Sequence, residues 1–179
     1  MMREKRNGSY IIESLVAVSL VVVGLVGIFG LIIRSTNMNK DVQNRVAATY
    51  LAAEGIEVIK SIIDANVEGN NRTRIGAWNT GLTGGTYEVQ YDTTLATLNS
   101  IGGASSTVPL SLDAESGTYA YGVGLPTPYY RTIRIEELSD RMRVTSSVEW
   151  TADRKRHFVF LQDVFTNWRE RETPAYSPL

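Results

Sequence analysis

A chain of 179 residues with a formal net charge of −1 lacks the excess of positive charge that favours a nucleic-acid-binding surface. It contains no cysteine, which excludes disulfides and cysteine-ligated metals. Hydrophobic residues make up 43% of the chain, and a large share of them lies in one N-terminal run, so about 140 residues remain to bury a single core.

Glu13 lies inside an otherwise apolar run that extends from Tyr10 to Ile33. Placing a carboxylate within a membrane helix costs roughly 2.5–3.5 kcal/mol on insertion scales, so such a residue is a functional hypothesis by default. The alternative is that Glu13 snorkels to the membrane interface, near the positive end of the helix dipole. Residue type alone leaves both interpretations open.

The length of this run indicates a membrane helix rather than a cleaved secretory signal. A secretory h-region spans about 7–15 residues and ends at a small-residue cleavage site, whereas Ser14 to Ile33 offers about 20 mostly apolar residues, enough to cross a bilayer. Arg34 closes the run without such a site. By the positive-inside rule the basic residues before the run stay in the cytoplasm, so the C-terminal part is expected outside. These basic residues are Arg3, Lys5 and Arg6.

The junction between the short basic leader and the apolar run reads GSYIIESL from Gly8 to Leu15. This sequence resembles the class III signal of type IV prepilins and pseudopilins. The resemblance implies that a prepilin peptidase cleaves after Gly8 and methylates the new N-terminus at Ser9, while the apolar segment stays on the mature chain. It also implies that Glu13, then the fifth residue, is the glutamate used in assembly.

Two positions depart from the commonest pattern of that family. Most members begin the mature chain with Phe or Met, where this chain has Ser9, and Gly30 stands where many major pilins carry a proline. Many major pilins also close a C-terminal loop with a disulfide, which this chain cannot form. Gly30 and the absence of a disulfide point to a minor pilin or pseudopilin. The segment from Leu51 to Glu57 is also similar to the helix of minor pilins of the PilV type and of GspI-type pseudopilins.

Past the membrane run, the spacing of apolar residues predicts that the helix continues with one buried face. Between Met38 and Val67 apolar and small residues recur at helical spacing, while charged residues fall largely elsewhere. The residues predicted to be buried are Ala48, Leu51, Ala52, Gly55, Val58, Ile59, Ile62 and Ile63.

The remainder of the chain predicts an antiparallel sheet. Glu68 to Gly85 is rich in Gly, Asn and Thr, which predicts an irregular connection. Asn99 to Thr127 is too long for a structureless connection unless it is functional or contains a short pairing segment, for which Thr118–Val123 is the best candidate. Short links between the later strands imply hairpins and a meander. The predicted strands are Tyr87–Tyr91, Tyr130–Glu137, Met142–Trp150 and His157–Val164.

The sequence contains little that indicates catalysis. His157 is the only histidine and is expected to be structural or exposed. Without cysteine or a second histidine, neither a thiol protease nor a usual zinc site is available, and no phosphate-binding glycine loop lies between a strand and a helix. We therefore expect a protein that is not an enzyme and carries no cofactor. A membrane-tethered enzyme would need a convergent polar site.

Two binding alternatives stay open. Asp92, Asp113 and Glu115 could contribute to a calcium site of the kind some pseudopilins possess, although they lack the EF-hand spacing. The basic turn 153–157 could contact DNA phosphates, but a solvated hairpin is favoured given the balanced charge, so nucleic acid is not an expected partner. Gly24, Gly27 and Gly30 could permit close helix approach or be ordinary membrane-helix glycines.

Residues and resemblance together predict an α+β, pilin-like fold, in which a long N-terminal helix packs on an antiparallel sheet. The implied partners are a prepilin peptidase, other pilins or pseudopilins, an inner-membrane assembly platform and membrane lipid. The implied location is the bacterial inner membrane, with a single pass and the C-terminal domain outside, and a pilus or pseudopilus after assembly. The predicted organisation is leader 1–8, membrane and assembly helix 9–33, amphipathic helix 34–67, sheet domain 68–168 and flexible tail 169–179.

The alternative from another class is a single-pass, signal-anchored extracytoplasmic binding protein. Such a protein would keep its leader and would have no need of Glu13.

Overall fold

A computed structural model of the protein describes residues 6–73, 77–122 and 124–167. Residues 1–5 of the predicted leader and the tail predicted after Trp168 lie outside the described residues. The chain divides between Asn44 and Arg45 into two compact units, which are described separately. A single helix, α1 (Arg6–Thr73), contributes to both units.

The end of α1 differs from the predicted one. The sequence predicts a helix to Val67 and an irregular connection from Glu68, whereas α1 continues to Thr73. A glycine costs only about 1 kcal/mol in a helix, and each further residue of a helix that has already formed adds a hydrogen bond, so the Gly- and Asn-rich segment extends the existing helix. The side-chain amide of Asn66, within α1, donates to the Thr80 carbonyl oxygen at 2.8 Å. This bond ties the turn that follows the helix to α1.

The second unit contains two antiparallel sheets. A five-stranded sheet has the order β2-β1-β6-β7-β8, and a three-stranded sheet has the order β4-β3-β5. The strands are β1 (Gly85–Glu88), β2 (Asn99–Ile101), β3 (Ser111–Leu112), β4 (Tyr119–Ala120), β5 (Leu125–Pro126), β6 (Tyr130–Glu137), β7 (Arg141–Ala152) and β8 (Lys155–Thr166).

The second half of α1 packs on one face of the five-stranded sheet, as the helical spacing predicts. All eight residues predicted to lie on the buried face of the helix are buried. Val58, Ile59, Ile62 and Ile63 share one cluster with residues of β1, β6 and β7, among them Ile133. Nearer the membrane run, a second cluster joins helix and sheet through Ala48, Leu51, Ala52, Leu110, Tyr129, Val148 and Trp150.

Strands β6 and β7 confirm the alternation read from the sequence. Alternate residues of β7 are buried on the helix side, and Ile133 and Ile135 of β6 lie on the same face. Eight residues of β6 pair with β7, from Tyr130 opposite Glu149 to Glu137 opposite Met142. The buried residues of β7 are Met142, Val144, Ser146, Val148 and Trp150.

The first strand ends earlier than predicted. The sequence predicts a strand over Tyr87–Tyr91, whereas β1 ends at Glu88. The next carbonyl oxygen, that of Val89, accepts hydrogen bonds from the Arg131 guanidinium instead of from a neighbouring strand. The chain then turns, and the Thr93 hydroxyl accepts a bond from the Gln90 N–H at 2.8 Å.

The long segment from Asn99 to Thr127 contributes strands to both sheets. Its first residues form β2, which pairs with β1. The predicted pairing segment, Thr118–Val123, is confirmed in part, since β4 covers Tyr119–Ala120 and pairs with β3. Val123 itself lies outside the described residues.

Candidate functional site

The apolar run of α1 exposes its side chains along its whole length. From Tyr10 to Ile33 every described residue is exposed, and α1 is long and apolar enough to cross a membrane, with a window of mean hydropathy 2.9. An exposed apolar surface of this extent is unfavourable in water but matches the hydrocarbon core of a bilayer.

The two serines in this run bond to the helix itself. The Ser14 hydroxyl donates to the Ile11 carbonyl oxygen at 2.9 Å, and the Ser19 hydroxyl donates to the Leu15 carbonyl oxygen at 2.7 Å. Hydrocarbon offers no competing partner, so polar groups at membrane depth need internal bonds of this kind. The serines are therefore compatible with a spanning helix.

Glu13 is the one charged side chain in the run, and α1 leaves it exposed. Gly8 and Ser9 belong to the helical backbone, while the side chain of Ser9 lies outside the described part of the chain. Ser9 and Glu13 are four residues apart, which places them on one face of the helix about 6 Å apart along its axis. An amine freed at Ser9 would thus lie about one turn from the carboxylate of the same chain.

The glycines of the membrane run lie open. A Cβ atom on Gly24, Gly27 or Gly30 would meet nothing within 4 Å among the described atoms. Close approach of a second helix is sterically possible at these positions.

In the second unit, Arg131 on β6 is a buried charged residue, whose side chain is 0% exposed. Its guanidinium donates to the Val89 carbonyl oxygen through Nε at 3.1 Å and through Nη2 at 2.6 Å. Nη1 donates to the Leu51 carbonyl oxygen of α1 at 3.1 Å and lies 3.2 Å from Glu54 Oε1. One side chain therefore joins the helix, the sheet and the loop after β1.

Sequence reasoning missed this residue. Arg131 has the same strand parity as Ile133 and Ile135, which already predicted an inward direction, but an arginine at that position is ordinarily taken to be solvated. Its backbone carbonyl oxygen also accepts a hydrogen bond from the Tyr121 hydroxyl at 3.2 Å. Burial raises the pKa of Tyr121 to about 12, so this hydroxyl stays a donor at neutral pH.

The carboxylates considered for calcium are engaged locally. Asp113 accepts hydrogen bonds from the Glu115 N–H at 3.0 Å and from the Ser116 hydroxyl at 2.6 Å, and these bonds lower the pKa of Asp113. Asp92 accepts from the Gln90 side-chain amide at 2.7 Å. Among the described residues no three histidine, cysteine or carboxylate side chains are grouped so that they could hold a metal ion.

The single histidine packs against an aromatic ring. His157 is half-buried and stacks on Trp150, with ring centroids 5.4 Å apart and planes inclined by 17°. The prediction of a structural or exposed histidine is consistent with this position. The basic turn beside it forms a tight two-residue connection between β7 and β8, in which Asp153 and Arg154 have positive φ values of 49° and 61°.

The sheet face away from α1 contains a shallow groove of about 470 Å³. Small hydroxyl residues line it together with Phe158 and Phe160 of β8 and the ion pair between Arg156 and Glu149, whose charged atoms are 3.5 Å apart. Phe158 and Phe160 belong to the apolar stretch of the predicted strand His157–Val164, but they are 66% and 60% exposed. This apolar surface lies outside the core.

Comparison with known proteins indicates no function for this chain, so the function is inferred from its sequence and structure. No protein-family model, curated protein or solved structure matches the chain.

Proposed function

We propose that the protein is a minor type IV pilin or pseudopilin, a structural subunit that enters or primes a pilus or pseudopilus after prepilin-peptidase cleavage. The observation that carries the proposal is the Gly8–Glu13 motif at the start of α1, which overlaps the beginning of an exposed apolar run. A signal peptide that is discarded has no reason to continue as a core helix of the mature domain, yet α1 continues into a stretch that buries residues from Ala48 to Ile63.

The two parts of α1 support this proposal in different ways. Residues 10–33 expose apolar side chains that need lipid or neighbouring apolar helices. Residues 48–63 bury their apolar stripe on the sheet of the same chain. A subunit of this kind can be held in the membrane before assembly and can exchange lipid for other helices during assembly.

The proposed mechanism is physical rather than catalytic. Cleavage after Gly8 frees an amine at Ser9, and Glu13 of an incoming subunit pairs with the amine of a neighbour among packed apolar helices. Each charge alone is costly to bury, and the cost is offset when the two charges meet in good geometry. The pairing would therefore favour correctly docked subunits over free ones in the membrane.

The experiment that tests the proposal is mass spectrometry of the N-terminus of the protein purified from its own cell membrane. A mature chain that begins at Ser9 and carries an added methyl group is the expected result. An intact leader in cells with an active prepilin peptidase would contradict the pilin proposal and favour a signal-anchored binding protein. A Gly8→Val variant serves as a control, because a β-branched side chain at the junction should block cleavage and leave the leader on.

A further inference from the structure

Strand β8 forms a long open edge of the five-stranded sheet. It extends from Lys155 to Thr166 and pairs with β7 on one side, and no other strand within the described residues pairs on its other side. The strand contains no proline and pairs with β7 without a bulge. Native proteins usually shorten, bend or cover an edge of this kind, because its unpaired backbone groups attract another strand.

The register with β7 shows which backbone groups of β8 are unpaired. The two-residue turn closes on the pair Ala152 and Lys155, and such a closing pair exchanges both of its backbone hydrogen bonds across the hairpin. Hydrogen-bonded pairs then recur at every second residue of an antiparallel ladder. The residues between them direct their N–H and C=O groups away from β7, and these residues are Arg156, Phe158, Phe160 and Gln162.

The open part of this edge has a defined beginning and end. Lys155 is the first residue after the turn. At the other end, the Asp163 carboxylate accepts the N–H of Val164 at 2.8 Å, so the next outward donor is already used. The open part therefore extends from Lys155 to Asp163, and its central residue is Val159.

The side chains of the open part are also arranged symmetrically about Val159. The exposed rings of Phe158 and Phe160 lie on either side of it and stack with centroids 6.5 Å apart. Lys155 and Asp163 lie at equal distances before and after it, and both are exposed. The edge therefore has like groups beside its centre and opposite charges at its two ends.

This arrangement is complementary to itself when two copies of the strand run antiparallel. If the two central residues lie opposite each other, Lys155 of one copy lies opposite Asp163 of the other. In the same register, Phe158 lies opposite Phe160. Opposite charges and aromatic pairs across neighbouring strands are stabilising, and each contact occurs twice because a two-fold axis relates the copies.

The same register also pairs the free backbone groups. It places Phe158 opposite Phe160 and Arg156 opposite Gln162. All four residues direct their N–H and C=O groups outward, so each pair can exchange two hydrogen bonds. The charges, the rings and the backbone of β8 therefore select one centre, Val159.

Other registers satisfy fewer of these conditions. A shift by two residues keeps the backbone pairing but places Lys155 opposite Leu161 or Phe165, so its charge loses its partner. A shift by one residue places outward backbone groups opposite groups already bonded to β7. Parallel pairing in register brings the basic ends of both copies together, and like charges on neighbouring strands are destabilising.

We propose that two copies of this chain join through their β8 edges, antiparallel and centred on Val159. Binding of a different protein would require complementarity only to that protein, and would give β8 no reason to be complementary to itself about one residue. This self-complementarity is the observation that selects a second copy as the occupant of the edge. The inference rests on the second unit of the chain and does not depend on the pilin proposal.

A cysteine at the centre of the contact tests the register. Val159 lies on the two-fold axis in a non-hydrogen-bonded pair, in which the Cα atoms are about 4.5 Å apart and within the range of a disulfide. Val159→Cys introduces the only cysteine of the chain. Gln162→Cys is the matched control on the same edge, because the two copies of this residue would lie about 20 Å apart along the paired strands.

The experiment uses the full-length protein in detergent micelles with a mild oxidant, and non-reducing electrophoresis measures the disulfide-linked dimer. We expect Val159→Cys to form this dimer at least about tenfold faster than Gln162→Cys, because only the first pair meets the geometry of a disulfide. Equal rates would overturn the inference, since they would place any association elsewhere on the chain.

Charge reversal is a second test that needs no cysteine. Lys155→Asp places carboxylates opposite each other at both ends of the contact, and Asp163→Lys places amines there. Each variant alone should dimerise about tenfold more weakly than wild type in sedimentation velocity. An equal mixture of the two should recover wild-type dimerisation, because each end of the mixed dimer joins an amine and a carboxylate. Glu115→Lys is the control, since it reverses an exposed charge away from the edge and should leave dimerisation unchanged.

Three outcomes of the charge test would overturn the inference. The first is wild type that stays monomeric up to the highest concentration measured, and the second is a mixture that dimerises no better than its components. The third is a monomeric protein whose β8 edge binds an extended peptide of unrelated sequence, which would assign the edge to a different protein. If Val159→Cys lowers the melting temperature, the charge test decides alone.

Discussion

A Cβ atom on Gly55 of α1 would lie 2.6 Å from the Ser146 hydroxyl oxygen of β7. It would also lie 2.7 Å from Ile133 Cδ1 and 3.3 Å from Arg131 Cδ. Glycine at this position therefore lets the helix backbone approach the sheet directly. The Ser146 hydroxyl oxygen is buried there with no hydrogen-bond partner in the described part of the chain, so the contact is one of packing.

Gly55→Ala is expected to destabilise the protein. Overpacking a close contact costs about 1–3 kcal/mol, while alanine adds about 1 kcal/mol of helix propensity, so the net loss should be at most about 2 kcal/mol. Urea unfolding followed by tryptophan fluorescence measures it. Gly69→Ala is the matched control, because a Cβ there meets nothing within 4 Å and should be neutral or stabilising. A gain in stability from both changes would contradict the close-approach argument.

Arg131→Met should lower stability by about 3 kcal/mol. The variant keeps most of the side-chain volume but leaves the buried Val89 carbonyl oxygen without its donors, which costs about 1–3 kcal/mol. It also removes the charged donor from the Leu51 carbonyl oxygen and the ion-pair partner of Glu54. Arg134→Met on the same strand is the control, since Arg134 is 65% exposed and should change stability by less than about 0.5 kcal/mol. Equal effects of the two variants in urea unfolding would show that Arg131 does not anchor the helix to the sheet.

The raised pKa of Tyr121 makes stability depend on pH in the alkaline range. Folding raises this pKa from 10.0 to about 12, so the folded state keeps a proton that the unfolded state loses. The stabilising contribution is complete below about pH 10 and decreases as the pH rises towards 12, by at most about 1.4 kcal/mol per pH unit. Removing the hydroxyl removes this dependence.

Tyr121→Phe should therefore be less stable than wild type by about 1 kcal/mol at neutral pH, through loss of the hydrogen bond to Arg131. The stability difference between the two proteins should shrink above about pH 10. Urea unfolding at a series of pH values measures it, and the other tyrosines cancel in the comparison. A constant difference up to about pH 11.5 would mean that Tyr121 ionises equally in both states.

Arg154→Gly should stabilise the β7–β8 hairpin. Arg154 adopts a φ of 61°, a conformation that costs an ordinary residue about 1 kcal/mol and that glycine adopts freely. We expect a gain of about 0.5–1 kcal/mol, seen as a higher melting temperature. Lys155→Gly is the control, because that position belongs to β8 and glycine weakens a strand. A lower melting temperature for Arg154→Gly would instead indicate that the arginine side chain stabilises the turn.

Periodicity predicted the parts of the fold in which one face is buried. The stripe from Ala48 to Ile63 and the alternation along β7 both follow from a core on one side. These patterns can be read from the sequence because each position along them is either buried in the core or exposed to solvent. Element ends were less predictable, since the continuation of α1 to Thr73 depends on a helix that has already formed.

The features missed by sequence reasoning depend on which strands become neighbours. Phe158 and Phe160 look like core residues, and only the position of β8 at the sheet edge leaves them exposed. Likewise, Arg131 becomes a buried anchor because Val89 and Leu51 supply acceptors from distant parts of the chain. For the candidate site, Gly8, Ser9 and Glu13 came from the motif alone, and their roles remain predictions.

Replacement of Glu13 separates assembly from simple anchoring. If the carboxylate only snorkels, Glu13→Ala should be neutral or improve insertion, because it removes a group worth roughly 2.5–3.5 kcal/mol of insertion cost. If it pairs with the amine of a neighbour, the variant should be cleaved and stay in the membrane yet fail to enter sheared filaments. Glu13→Gln should behave like Glu13→Ala, since it keeps the shape and loses the charge.

Immunoblotting of filament and membrane fractions, normalised to equal amounts of processed protein, measures this outcome. Ser14→Ala is the matched control on the next residue, because its hydroxyl bonds to the Ile11 carbonyl oxygen of the same helix and its loss should leave incorporation unchanged. The amine at Ser9 and the carboxylate of Glu13 lie about one helical turn apart in one chain and could instead pair with each other. Such a pair would be the same in docked and free subunits, so incorporation would not depend on Glu13. Normal incorporation of both Glu13 variants would therefore reject an intermolecular pairing role for this residue.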